Sequence, residues 1–215
     1  MKKTLLVILD GVWINDKTTF ENPFYQKEFP TFKKLFSSLY TWLEASGRAV
    51  WIPDGQIGNS EVGHMTIWSG RIIPQSIVKI DDMLDDGSFA ELEAFKSWLN
   101  HTIKNNSTLH LFTLFGPGWV HSSDTHLEKI LKIIPQNITV SLHLFWDGRD
   151  IPPKSMLEIF KTFDENILSK HKNVVVSSIS GRYYAMDRDN NWERVQKSYN
   201  QIVFKENIVD FKVSD

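Results

Sequence analysis

An α/β fold with a mostly parallel sheet is the architecture this sequence predicts. Three observations predict it. Short apolar runs alternate with helically spaced segments from Leu109 to Val203. Each of three successive runs leads directly into a polar loop that carries glycine. The intervening helical segments are long enough for the crossover connections that parallel strands need.

The elements come in a clear order. Thr4–Leu9 is a short continuous apolar run, suited to a first strand buried on both faces. Pro30–Leu43 has helical spacing through Phe32, Leu35, Phe36 and Leu39. A glycine-rich loop covers 54–64, and Gly70–Pro74 reads as a connector. Ser88 followed by Glu91 is a capping-box signal opening a helix through about Ile103. Then come strand Leu109–Phe115, helix 122–133, strand Ile138–Phe145, helix Lys154–Leu168, strand Val174–Ile179 and helix Asn191–Val203. No internal repeat or low-complexity tract interrupts the series.

Composition excludes several classes. The 215 residues carry a net charge of −2 with 23% charged side chains, so neither a nucleic-acid nor an acidic-membrane partner is indicated. There is no cysteine, hence no disulfide framework, thiol nucleophile or thiolate metal site. The N-terminus begins like a signal peptide, but its apolar run stops at Asp10 without a small-residue cleavage site. The expected location is the cytoplasm.

Two features point to chemistry. The stretch Asp54-Gly-Gln-Ile-Gly-Asn-Ser60-Glu-Val-Gly-His64 has three glycines and almost no apolar bulk. It cannot form a core strand, and its glycines allow close backbone approach to a ligand. Ser60, with Asp54, Glu61 and His64 nearby, suits a presented nucleophile, although a solvated loop has the same composition. Asp10, at the carboxyl end of the first run, is either a turn cap or a hard oxygen ligand for Mg²⁺ or Mn²⁺.

The second feature is the set of loops after the three later strands. They carry His121, then Asp147, Arg149 and Asp150, then Arg182 and, slightly beyond, Arg188. In open α/β sheets, ligands bind outside the carboxyl ends of the strands. Arginine is a planar, bidentate partner for carboxylate and phosphate. The implied ligand is a small anion with a proton to move. Isolated loop Arg and Asp are more often surface ion pairs, and it is their convergence on one sheet edge that favours a site. His110 and His143, inside strands, read as packing histidines. His101, His126 and His171 read as lying on solvated helix faces or ends.

The Ser60 stretch also resembles the nucleophile segment of the cofactor-independent (2,3-bisphosphoglycerate-independent) phosphoglycerate mutases. Four further segments resemble that family in order: Leu9-Asp10-Gly11, Val120-His121-Ser122, Asp147-Gly-Arg-Asp150-Ile-Pro-Pro153 and Gly181-Arg-Tyr-Tyr-Ala-Met-Asp-Arg-Asp189. The resemblance runs from the N-terminus to about Tyr199. It implies the start of an alkaline-phosphatase-like, metal-binding domain at 1–75 and part of an inserted α/β phosphotransferase domain at 76–215. The implied activity is that of a glycolytic isomerase interconverting 3-phosphoglycerate and 2-phosphoglycerate through a phosphoserine. Ser60 would be the nucleophile, Asp10 and Ser60 ligands of one Mn²⁺, and His121, Arg149, Asp150, Arg182 and Arg188 the substrate-binding set. Two Mn²⁺ serve the complete enzyme, with Mg²⁺ an alternative and no 2,3-bisphosphoglycerate. Complete members of the family look monomeric.

Two departures qualify the resemblance. The family's remaining metal ligands, a phosphate-contacting lysine and a further pair of substrate arginines lie in segments without a counterpart here. The chain is therefore expected to be a fragment, inactive alone, with a possible complementing C-terminal polypeptide. Its partial sheet is expected to leave apolar surface and a strand edge uncovered. Eight tryptophans are the second departure. Trp13, Trp51, Trp68 and Trp119 stand where the family pattern leads one to expect glycine. UGA codons decoded as glycine in the source, but translated on paper as tryptophan, would account for all four. A decaying paralogue is the alternative. Competing functions are a metal-dependent phosphatase-superfamily hydrolase, which has no need of the motifs at 147–153 and 181–189, and a non-catalytic phosphoglycerate- or anion-binding module.

Overall fold

A computed structural model describes residues 3–9, 29–37, 40–55, 58 and 60–206 of the chain. The chain divides into two compact units, Met1–Glu44 and Ala45–Asp215. In the first, the helix α1 spans Pro30–Phe36, shorter than the Pro30–Leu43 expected, and Tyr40 meets Trp42 edge to face at 5.6 Å. The strand expected at Thr4–Leu9 does not form. Residues 3–9 have no regular structure, and Leu5 is 86% exposed. An apolar run becomes a strand only where another strand accepts its hydrogen bonds, and among the described residues none pairs with it.

The second unit holds a mixed α/β arrangement around a small parallel sheet, the fold class expected. It opens with a 3₁₀ turn at Gly47–Val50, followed by α2 (Ser60–Ser69) and α3 (Ser76–Asp85). The loop expected over 54–64 is thus cut short, because the chain turns helical at Ser60. A second 3₁₀ turn, Ser88–Glu91, precedes α4 (Glu93–Lys104). The single capped helix expected from Ser88 is not made. The Ser88 backbone N–H donates to Asp86 Oδ1 at 2.8 Å, and Glu91 is drawn forward to Lys96 Nζ at 2.6 Å. The bond that would tie the Glu91 carboxylate back to the Ser88 N–H is therefore not made.

Then come β1 (Leu109–Phe115), α5 (Asp124–Ile133), β2 (Val140–Trp146), α6 (Met156–Asn166), β3 (Val174–Gly181), α7 (Arg182–Ala185) and α8 (Trp192–Phe204), with a 3₁₀ turn at Leu168–Lys170. The alternation matches the one expected from sequence, with ends shifted by one or two residues. At α5 the reason is explicit: Ser123 is the N-cap, and its side chain accepts the Thr125 N–H.

The sheet has the order β1-β2-β3, all parallel. Central β2 is buried hardest on one face, where the alternate residues Val140, Leu142 and Leu144 are at zero exposure. They pack with Leu127 and Leu131 of α5, Phe160 and Phe163 of α6 and Phe95 of α4. Each such side chain contributes about 1.5–3 kcal/mol by leaving water. On the outer strands Phe112 and Val175 remain more than half exposed.

The carboxyl ends of the strands are brought level by a local irregularity. Val140 is level with Val174, but a register shift between Leu142 and His143 lets β3 carry one extra residue. As a result Phe115, Trp146 and Gly181 finish side by side. Three loops therefore leave the sheet at one level.

Candidate functional site

A cavity of about 850 Å³ opens where those three loops leave the sheet. His121, Arg149, Asp150, Arg182 and Arg188 all line it. These are the five substrate-binding residues expected from sequence, and the structure brings all of them together.

Each loop is positioned by local bonds. After β1, Gly116 has φ +149°, and a Cβ there would come 3.0 Å from Ile151 Cδ1, so the exit from the strand requires glycine. The Asp124 N–H donates to the Gly116 carbonyl at 3.2 Å, closing a loop that presents His121. After β2, Asp147 turns the chain. Its Oδ1 accepts the backbone N–H groups of Arg149 at 2.9 Å and of Asp150 at 3.1 Å. After β3, α7 starts at once, with Arg182 as its first residue.

Asp147, which sequence places in a motif but not among the substrate-binding candidates, is the centre of the site. The same Oδ1 accepts Arg182 Nη1 at 2.9 Å, while Asp150 Oδ2 takes Nη1 at 2.6 Å. The Asp147 and Arg182 side chains are only 4% and 13% exposed. Burial pushes the Asp147 carboxyl up. The Arg149 N–H, Arg182 and the Asp150 N–H together outweigh it and hold the group below the usual carboxylate range. For Arg182, desolvation pulls down, and the bonds to Asp150 and Asp147 raise the guanidinium above its ordinary value. A sequence signal exists for this role: an Asp two and three residues before polar loop residues can bond their backbone N–H groups.

The four arginines of the cavity therefore differ. Arg182 is met by two carboxylates, and Arg194 is met by Asp187 at 2.9 Å. Arg149 and Arg188 are exposed and form no ion pair among the described residues. His121 is 56% exposed, with Nε2 3.9 Å from Asp150 Oδ2. The cavity thus offers two uncompensated cations beside a His–Asp pair.

Ser60 does not line this cavity. It is exposed at the start of α2, one helical turn before His64. His64 Nδ1 lies 3.0 Å from Ser60 Oγ and 2.7 Å from the Ser60 carbonyl oxygen. A carbonyl only accepts, so Nδ1 carries the ring proton, and His64 takes no proton from Ser60 in this arrangement. Asp54 is spent elsewhere, its Oδ1 accepting the Arg48 N–H at 3.1 Å. Asp10 lies outside the described residues, as does Trp13. Among the described residues no group of three or more His, Asp or Glu side chains could hold a metal ion. Ser60 alone of the expected metal ligands is described, and the described residues around it do not complete a site.

Two positions where the resemblance leads to glycine have left-handed backbone. Trp51 has φ 55° and ψ 47°, capping the 3₁₀ turn through its N–H to the Arg48 carbonyl. Trp119, in the loop that presents His121, has φ 54°. Glycine adopts this conformation freely, and a bulky residue does so at a cost. Trp68 differs, standing on α2 with its ring 5.6 Å from His64.

The histidine expectations hold in part. His143 is buried and stacks on Phe112, and His110, though exposed, packs its ring on that of His143 at 5.2 Å. His101 is exposed as expected. His126 and His171 are not on solvated faces: both are buried. His126 Nε2 meets Asp81 Oδ1 at 3.2 Å because α3 packs across that face of α5.

Comparison with known proteins places this geometry among relatives. Residues 80–213 match the family model described as BPG-independent PGAM N-terminus. A 2,3-bisphosphoglycerate-independent phosphoglycerate mutase of Clostridium acetobutylicum is 44% identical over 205 residues, covering 94% of this chain and 40% of the relative. The protein of that name from Mycoplasmopsis synoviae is 42% identical over 208 residues, 95% of this chain and 41% of its own length. Among solved structures, a Leishmania mexicana phosphoglycerate mutase, studied at low cobalt concentration, superposes with a TM-score of 0.65 at 32% identity. That match covers 73% of this chain and 30% of the other. The chain spans about two fifths of the length of the curated relatives it matches. Among the described residues no helix is long and apolar enough to cross a membrane.

Proposed function

We propose a function from one premise: the chain belongs to the 2,3-bisphosphoglycerate-independent phosphoglycerate mutase family. The proposed role is the substrate-holding part of a cytoplasmic, glycolytic isomerase that interconverts 3-phosphoglycerate and 2-phosphoglycerate. One observation carries this reading. His121, Arg149, Asp150, Arg182 and Arg188 converge on one cavity at the carboxyl ends of three parallel strands.

The ligand chemistry follows from the charges. A phosphoglycerate offers a carboxylate and a phosphate, each matching a guanidinium fork. Arg149 and Arg188 supply that charge directly, while Arg182, held by Asp147 and Asp150, fixes the cavity wall. Asp150 or His121, 3.9 Å apart, handles the glycerate hydroxyl proton. The glycerate is held while it reorients, and the phosphoryl group returns from the serine to the other oxygen.

Ser60 is the proposed nucleophile and forms the phosphoserine intermediate. Its domain is placed at 1–75 and the substrate domain at 76–215. His64 does not deprotonate Ser60 as oriented; Asp10 and Ser60 would be among the ligands of Mn²⁺, or Mg²⁺, and that ion would supply the activation of the hydroxyl. Such an ion lowers the pKa of a bound hydroxyl and steadies charge on the transferred group. Two ligands do not complete a divalent site, and the others are assigned to the three fifths of the relatives' length that this chain does not span. A complementing polypeptide is proposed to supply them. Phe112 and Val175, more than half exposed on the sheet, support a further layer there.

A second reading, a phosphoglycerate-binding module without turnover, is favoured by Ser60 lying outside the cavity. Titration of 3-phosphoglycerate with and without Mn²⁺, then assay with a polypeptide carrying the remaining length, separates the two. The mutase reading expects binding by the chain alone and Mn²⁺-dependent turnover only after complementation. Full turnover by the purified chain would remove the need for a second polypeptide, and binding without turnover after complementation would favour the module.

A further inference from the structure

Arg188 rides on a turn built around a carboxylate to which the sequence motif assigns no role. The Asp187 side chain is 3% exposed. Its Oδ2 accepts the Asp189 N–H at 3.1 Å and the Asn191 N–H at 2.9 Å. Its Oδ1 accepts Asn191 Nδ2–H at 3.1 Å and Arg194 Nη1–H at 2.9 Å. Asn190, between them, has φ 64°, the left-handed residue of the turn. Burial raises the Asp187 carboxyl, but these hydrogen bonds outweigh it and hold the group below its ordinary range. It is a fixed negative charge inside the turn.

Arg194 links three pieces of chain. It comes from the first turn of α8, bonds Asp187, and lays its guanidinium 4.1 Å from the centroid of the Tyr183 ring on α7. Its charge is satisfied by Asp187 and by the ring face, so it is not the group that meets the anion. Arg188 is that group, one residue from Asp187 and exposed at the same cavity. The arrangement separates a cation that binds from a cation that holds.

We propose that Asp187, Arg194 and Tyr183 are positioning residues, a clamp that sets the direction of Arg188 toward a phosphoglycerate anion. This rests on the reading of the cavity as the phosphoglycerate site. A guanidinium is needed at 194, because only its planar fork can bond Asp187 and stack on Tyr183 together, which a lysine ammonium does not reproduce.

The test is a double-mutant cycle on the 215-residue chain, with 3-phosphoglycerate titrated by calorimetry. Arg188→Ala is expected to weaken binding about tenfold, the scale of one charge-assisted contact. Arg194→Lys is expected to weaken it about fivefold, and to add nothing in the Arg188→Ala background, because it acts through that side chain. Tyr183→Leu, which leaves the carboxylate bonds intact, is expected to give about a threefold loss that also vanishes in that background. Wild-type affinity in Arg194→Lys, or losses that multiply in the double variant, would overturn the clamp alone. A wild-type chain that does not bind 3-phosphoglycerate at all would overturn the site reading and the clamp with it.

Discussion

The cavity at the strand ends and the helix that begins at Ser60 are both announced by glycine-bearing motifs, yet they are built differently. Around the cavity, the loops are tied to one another. Asp147 bonds two backbone N–H groups and an arginine from a different strand end, and Asp187 does the equivalent for the next turn. Around Ser60 the side-chain partner among the described residues is His64, on the same helix. Asp54 serves the neighbouring turn, and α2 stands largely exposed. One region carries its geometry within itself, and the other presents the serine proposed as nucleophile without, among the described residues, the neighbours that would complete a site. A binding site needs converging loops, which a single sheet edge supplies. A metal-assisted nucleophile needs ligands from several segments.

The largest expected effect tests the self-contained side. Asp147→Ala leaves two backbone N–H groups without their acceptor and Arg182 with Asp150 alone, and is expected to cost about 2–4 kcal/mol in chemical denaturation, the scale of leaving buried donors unsatisfied. It should abolish 3-phosphoglycerate binding as well. A loss below about 1 kcal/mol, the scale of an exposed pair, would show that the loops hold without it.

The second prediction concerns acid. Both Asp147 and Asp187 are held below the ordinary carboxylate range. A carboxyl whose folded pKa is depressed contributes stability that is fully present above its unfolded value, about 3.9, and lost as the pH falls through the folded value. Unfolding midpoints followed from about pH 6 to about pH 2 should fall steeply below about pH 4. The Asp147→Asn variant should start lower and lose less over the same range. Parallel curves for the two would remove Asp147 from this role.

Trp51 gives a finer contrast beside the Ser60 helix. Its left-handed backbone is expected to make Trp51→Gly more stable than Trp51→Ala by about 1 kcal/mol in thermal unfolding, since both remove the indole and only glycine relieves φ. Equal stability of the two would show that the conformation carries no penalty. The smallest effect is expected at Ser60, the proposed nucleophile. Ser60→Ala should change stability by less than about 0.5 kcal/mol and leave 3-phosphoglycerate affinity unaltered, while eliminating turnover in the complemented enzyme. A clear loss of affinity in Ser60→Ala would join the two regions into one site.

The alternation of elements from Leu109 to Phe204 was legible because short apolar runs and helically spaced segments are local features of the sequence. The convergence of His121, Arg149, Asp150, Arg182 and Arg188 was legible for a related reason. Parallel strands send all their carboxyl ends to one edge, so loop order is enough to place them. The family was legible in the motifs and is supported by the match over 80–213.

Other features depended on partners that local sequence does not reveal. Thr4–Leu9 has a strand's composition, but a strand exists only when another strand accepts its ladder. The box at Ser88 failed because Asp86 and Lys96 claimed both of its groups first. His126 reads as a surface residue on α5 until α3 brings Asp81 against it. The inequality among the arginines was hidden for the same reason: Arg182 and Arg194 are satisfied by carboxylates, while Arg149 and Arg188 stay exposed. Sequence determined which side chains reach the edge of the sheet, because periodicity and strand direction are local and additive. Tertiary structure alone decided which of those charges are already neutralised and which remain for a ligand, because pairing depends on distances of a few ångströms between segments far apart in the chain.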